Sequence, residues 1–151
     1  MKNFQFSIFS FQIIAAVCIM LTVACSVERS DNGKLDGLWQ MYSIDTLSTG
    51  RTTDMRHSQL AWAFQGDMME VRDVTYFICD YFFTFRFTGD SLLLTNPCLL
   101  DRERGDVVVT DVRELQPFGI NALEERFKVI MLTDDRLVLR SDSITVNLRK
   151  Y

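Results

Sequence analysis

The chain has 151 residues, which one domain accounts for and which is long enough to bury a substantial core. Acidic side chains number 20 against 16 basic ones, a net charge of −4, and 48% of the residues are hydrophobic. That balance excludes a disordered chain and gives no electrostatic reason to expect nucleic acid or an anionic membrane face as a partner.

The first element is an export signal. After Lys2 no charged residue occurs until Glu28. The run from Phe4 to Val23 is mostly apolar, thinned in its front half by Gln5, Ser7, Ser10 and Gln12 and closed by Ala24. A basic start, an apolar middle and small residues at the end predict a helical secretory signal over 1–24. An uncleaved membrane helix is the alternative, since a span needs about 20 apolar residues. Leu21-Thr22-Val23-Ala24-Cys25 resembles the bacterial lipobox, departing from it at Thr22, where Leu is commoner, with Leu21 one place early. The resemblance implies a diacylglycerol on the Cys25 thiol, cleavage before Cys25 and a further acyl chain, palmitate-like, on the freed amine. The protein is then a lipoprotein held by its N-terminus in the cell envelope, at the bacterial outer membrane. An ordinary signal peptidase cutting after Ala24 fits the same residues. Residues 25–34 are polar, carry the turn pair Asn32-Gly33, and read as a tether.

From residue 35 to 151 the pattern is a succession of short strands. The first runs from Gly37 to Asp45, and the polar stretch from Thr46 to Arg56 reads as a loop. Leu60, Trp62 and Phe64 alternate with Ala61 and Ala63, so the next strand has one bulky face. Gln65-Gly66-Asp67 turns it into Met68 to Arg72. The region from Thr75 to Thr88 follows, with Tyr81, Phe83, Phe85 and Phe87 on one face. Gly89-Asp90 is a hairpin signal returning through Ser91 to Thr95. Past the charged loop from Asp101 to Asp106, Val107 to Thr110 is another strand. A helical turn is expected near Ala122 to Glu125. Arg126 to Thr133, Leu137 to Arg140 and Ile144 to Arg149 then form three strands joined by acidic turns. About eight strands in a meander leave two open edges unless they close, which predicts an all-β, up-and-down antiparallel barrel, with a β-sandwich as the alternative.

Leu35-Asp36-Gly37-Leu38-Trp39 resembles the Gly-x-Trp start of lipocalins, and the ending from Leu137 to Tyr151 is similar to the close of small Bacteroidetes lipocalin-like lipoproteins. The resemblance covers residues 35–151 and implies a lipocalin-like barrel. It also implies that a basic residue of the last strand packs over Trp39, and Arg149 is the one it points to.

Chemistry is sparse. His57 is the only histidine and no nucleophile sits in a recognisable motif, so no catalytic residue and no enzyme activity are expected. One histidine without clustered cysteines gives no metal site, and no cofactor is expected. Two cysteines remain in the exported part, Cys79 and Cys98, and an oxidising compartment permits a bridge. If the Gly89-Asp90 turn sets Thr88 opposite Ser91, Cys79 faces Leu100 and Cys98 faces Tyr81. An irregularity at Pro97 then brings the cysteines toward the ~5.5 Å Cα spacing of a disulfide; two free thiols are the alternative. The feature with functional content is the aromatic set Trp62, Phe64, Tyr81, Phe83, Phe85 and Phe87. It reads as the lining of a pocket for a small hydrophobic ligand, or as the packed core of a cell-envelope scaffold or interaction module.

Overall fold

The computed structural model describes residues 30–75, 80–101, 103 and 105–151. Among these residues ten strands form one antiparallel sheet: β1 (Gly37–Thr46), β2 (Arg51–Asp54), β3 (Leu60–Gln65), β4 (Met68–Asp73), β5 (Tyr81–Phe87), β6 (Ser91–Leu99), β7 (Val107–Val108), β8 (Glu125–Leu132), β9 (Arg136–Arg140) and β10 (Ile144–Lys150). The spatial order is β10-β9-β8-β6-β5-β4-β3-β1, and β1 pairs back with β10. Both β2 and β3 lie along β1, one beyond the other, and β7 is a short addition to β6. The wall therefore has eight staves and closes into a barrel, which removes the two edges an open meander would expose.

The loop expected over Thr46 to Arg56 is instead a hairpin, with Asp45 facing Thr52. Its return strand breaks at the turn Arg56–Ser58 and resumes as β3. The helical turn expected near Ala122 to Glu125 is absent; residues 122–124 are a bend and Glu125 already begins β8. Two 3-10 turns lie earlier, Val112–Glu114 and Gln116–Phe118. Pro117 suits the start of the second, and Gly119, at φ +74°, ends it in the left-handed conformation that glycine adopts freely.

Period-two alternation sorts the side chains as the pleat demands. Along β10, Ile144, Val146 and Leu148 are buried while Thr145, Asn147 and Arg149 face out. Along β3 the bulky face of Leu60, Trp62 and Phe64 turns inward. The core runs from Leu35 to Leu148 and the ladder closes within Gly37 to Lys150, so residues 30–151 carry their own core and fold as a unit. At one end of the barrel lie the start of β1, the turns Gly66-Asp67, Gly89-Asp90 and Asp134-Asp135, and the end of β10. The chain enters there: Asn32 Nδ2 donates to the Gly66 carbonyl at 2.6 Å, and Lys34 pairs with Asp134 at 3.2 Å. The segment Val109 to Ile120 belongs to the opposite end.

Candidate functional site

The inner faces of the staves bring together most of the aromatic set read from the sequence. Trp62, Phe64, Tyr81, Phe83 and Phe85 are buried, whereas Phe87, the last residue of β5, is only half-buried. Edge-to-face contacts link them. Phe64 meets Phe85 with centroids 5.3 Å apart at 86°, and Trp62 meets Phe127 at 5.7 Å and 69°. Such geometry sets the positive edge of one ring on the negative face of another and adds to area burial.

A connection, not a stave, closes the far end. Leu115, Phe118 and Ile120 are fully buried, although they belong to a connection rather than to a stave. Phe118 lies against Tyr81 at 5.9 Å, and its carbonyl accepts a 3.1 Å hydrogen bond from Trp62 Nε1. Gly119 lies against Ile44, Val146 and Met41, each of which would stand 3.3–3.4 Å from a Cβ there. The segment from Val109 to Ile120 is thus a plug seated among the inward side chains of β1, β3, β5 and β10. Its trace in the sequence is the spacing of Leu115, Phe118 and Ile120 around Pro117 and Gly119.

At the entry end, a basic side chain does cover Trp39, but it is Lys150 and not Arg149. Lys150 faces Trp39 in the β1–β10 ladder, and its Nζ stands 4.7 Å from the ring centroid. Arg149, one residue earlier, belongs to the outer face and stacks over Tyr42 at 4.2 Å. Lys150 Nζ also donates to the Lys34 carbonyl at 2.9 Å, while Trp39 Nε1 donates to the Leu35 carbonyl at 2.7 Å. Gly37 has φ +111°, and a Cβ there would stand 3.2 Å from Lys150 Cε. The Gly-x-Trp spacing therefore makes room for the lysine stem and presents the indole beneath it.

A cleft of about 600 Å³ lies outside the barrel beside the start of β8 and the β9–β10 turn, lined by Arg126, Lys128 and Arg140 as well as Glu124 and Asp142. Glu125 forms part of its lining and accepts hydrogen bonds from the backbone N–H groups of Asn121 and Ala122. Burial is the main influence on its carboxyl and raises its pKa above the ordinary value, against the lowering effect of those bonds. Ser141 Oγ is buried beside it without a well-formed hydrogen bond, yet is near enough to favour the charged carboxylate.

His57 is exposed in the turn Arg56–Ser58. Beside it Arg56 grips Asp54 through a 2.6 Å ion pair that holds the Asp54 carboxyl well below the usual range. Cys98 is a half-buried free thiol facing Phe82, not Tyr81. The register slips by one residue because Asn96, at φ +54°, and Pro97 form a bulge in β6. Cys25 and Cys79 lie outside the described residues.

A lipocalin-like domain family matches residues 19–151. A lipocalin-like protein from Bacteroides uniformis ATCC 8492 superimposes with a TM-score of 0.60 at 20% identity, covering 79% of this chain and 100% of its own. An uncharacterized protein from Bacteroides eggerthii DSM 20697 does so with a TM-score of 0.58 at 20% identity, covering 78% and 99%. No curated protein matches. With the closed eight-stave barrel and a family match over most of its length, the chain belongs to the lipocalin-like domain family.

Proposed function

We propose that this protein is a lipid-anchored module of the cell envelope, tethered through acyl chains on Cys25 at the bacterial outer membrane, that works through its outer surface. The observation that carries the reading is the filled interior. Trp39, Trp62, Phe83, Phe118 and Phe127 are fully buried there, and the plug occupies the far mouth. A small apolar ligand would have to displace Phe118 or Trp62 from these contacts. The deformable side chains with which to accommodate one are Met41 and Met69, both fully buried. The reading assigns no chemical step to His57. Several acyl chains hold a protein stably at a bilayer where one does not, and the few polar residues after Cys25 link the anchor to the barrel end on which Asn32 and Lys34 are seated.

Two measurements test this. Mass spectrometry of the mature N-terminus should find Cys25 acylated and residues 1–24 removed; an unmodified Cys25 or an intact Met1 refutes the anchor. Titration of residues 30–151 with fatty acids, retinoids and haem-like compounds should leave Trp emission unchanged. A saturable change abolished by Trp62→Phe would establish an internal ligand site and replace the outer-surface reading.

A further inference from the structure

The small net charge conceals a cluster of unpaired cations on one wall. Arg86 on β5 faces Leu93 on β6, which faces Arg126 on β8. In the next row, Ser91 faces Lys128, and Lys128 faces Arg140 on β9. All four cations are exposed on the outer wall. Strands are about 4.8 Å apart and alternate residues about 7 Å, so the four lie within roughly 15 Å of one another. Other basic residues are neutralised: Lys34, Arg56, Arg72, Arg113 and Arg136 each hold a carboxylate. Among the described residues none of these four does: Glu124, Glu125 and Asp142 share a cleft with Arg126, Lys128 and Arg140 but form no ion pair with them, and Asp90 forms none either. The one polar contact is a 3.4 Å hydrogen bond from Arg126 to Ser91 Oγ. Lys128 and Arg140 stand directly opposite each other, an arrangement that costs stability when the charges are alike.

The same wall carries apolar projections. A bulge in β8 between Val129 and Met131 turns two consecutive side chains outward, leaving Ile130 49% and Met131 44% exposed. The wall also adjoins the point where the chain enters, because Lys34 is paired with Asp134 in the turn that joins β8 to β9. Cys25 precedes Ser30 by five residues, a reach of at most about 18 Å when extended. An anchor that short holds this wall within reach of the surface in which it is embedded.

We infer that the β5–β6–β8–β9 wall is a docking face for anionic phospholipid headgroups, with Arg86, Arg126, Lys128 and Arg140 meeting phosphates and Ile130 and Met131 entering the interface. Anionic lipid relieves the mutual repulsion of Lys128 and Arg140, and the exposed apolar pair gains burial. The face would lay the barrel on its side against the bilayer. The inference builds on the outer-surface reading above and remains testable without the anchor.

The experiment is co-sedimentation of residues 30–151, which lack Cys25, with vesicles of phosphatidylglycerol and phosphatidylcholine in equal parts, and with phosphatidylcholine alone. Binding should favour the anionic vesicles at least tenfold at low salt and vanish in 0.5 M salt. Arg126→Gln, Lys128→Gln and Arg140→Gln together should abolish most of that preference, since each cation near an anionic surface contributes up to about fivefold. Arg72→Gln with Arg113→Gln, elsewhere on the surface, should leave it unchanged. Ile130→Ser with Met131→Ser should weaken binding while keeping its salt dependence. Near-ultraviolet circular dichroism verifies that each variant is folded. Equal binding to both vesicle types, or a wall variant that binds as wild type does, overturns the inference. Retention on dextran sulphate without vesicle binding also overturns it, in favour of a soluble polyanion. None of these outcomes depends on whether Cys25 is acylated.

Discussion

Lys150 shows what one residue of register is worth. A basic side chain of the last strand covers Trp39, and it is Lys150 where the resemblance points to Arg149. Alternation sends neighbouring side chains to opposite faces, so a slip of one residue exchanges inside for outside. The ladder, with Trp39 opposite Lys150, decides the matter, and one sequence does not reveal a ladder. Lys150→Met should cost about 1–2 kcal/mol, through the lost cation–ring contact and the lost bond to the Lys34 carbonyl. Trp39 emission should shift in a Trp62→Phe background, whereas Arg149→Met should leave it alone. Gly37→Ala should destabilise more than a typical surface change, because its φ of +111° strains any Cβ and the Lys150 stem must move. Glu125 calls for a different measurement. Burial raises its carboxyl above the ordinary value, so folding favours the protonated form. That contribution is fully present below the ordinary value and is lost as pH rises through the raised one. Glu125→Gln carries no such titration, so its melting temperature relative to wild type should climb as pH rises from the ordinary carboxyl value through the raised one. A difference that is flat or falls over that range refutes the assignment.

Strands were legible where alternation was clean and turns were marked. β3, β4, β9 and β10 fall within a residue or so of their expected limits, since Leu60-Trp62-Phe64 and Ile144-Val146-Leu148 state both period and face. Elements held by tertiary contacts were not legible. β2 is wholly exposed and polar, and pairing with β1 alone makes it a strand. β6 runs on to Leu99 through the Asn96-Pro97 bulge, where its proline would have suggested an end. The plug is not legible in the sequence, because its 3-10 turns are too short to show a period and its burial depends on a cavity formed by distant strands. Phe118→Ala should therefore behave as a core truncation, costing about 3–5 kcal/mol in chemical denaturation, despite lying in a connection. A loss under about 1 kcal/mol would mean that the segment merely covers the barrel. Trp62 emission should shift to the red as water reaches the indole.

At the scale of the molecule, closure was inferable from eight short strands with nowhere to hide their edges, and the aromatic residues of the inner face could be named from alternation. Whether those residues line a space or fill it was not inferable, since Trp, Phe and Met suit either and the answer lies in how facing staves interdigitate. The basic wall was invisible for a related reason. Arg86, Arg126, Lys128 and Arg140 are spread over 55 positions of an acidic chain, and only the cross-strand register assembles them. That register also decides how the barrel bears load. The chain enters at the head of β1, a stave gripped on both flanks, by β10 from Trp39 to Thr46 and by β3 and β2 along the other side. A pull on the N-terminal segment, such as drag on an immobilised protein would exert, runs along the axis of β1. It strains the rungs of both ladders in shear, all at once, where a stave peeled sideways would yield them one at a time. An anchor on that segment would therefore load the barrel through a stave whose rungs share the force.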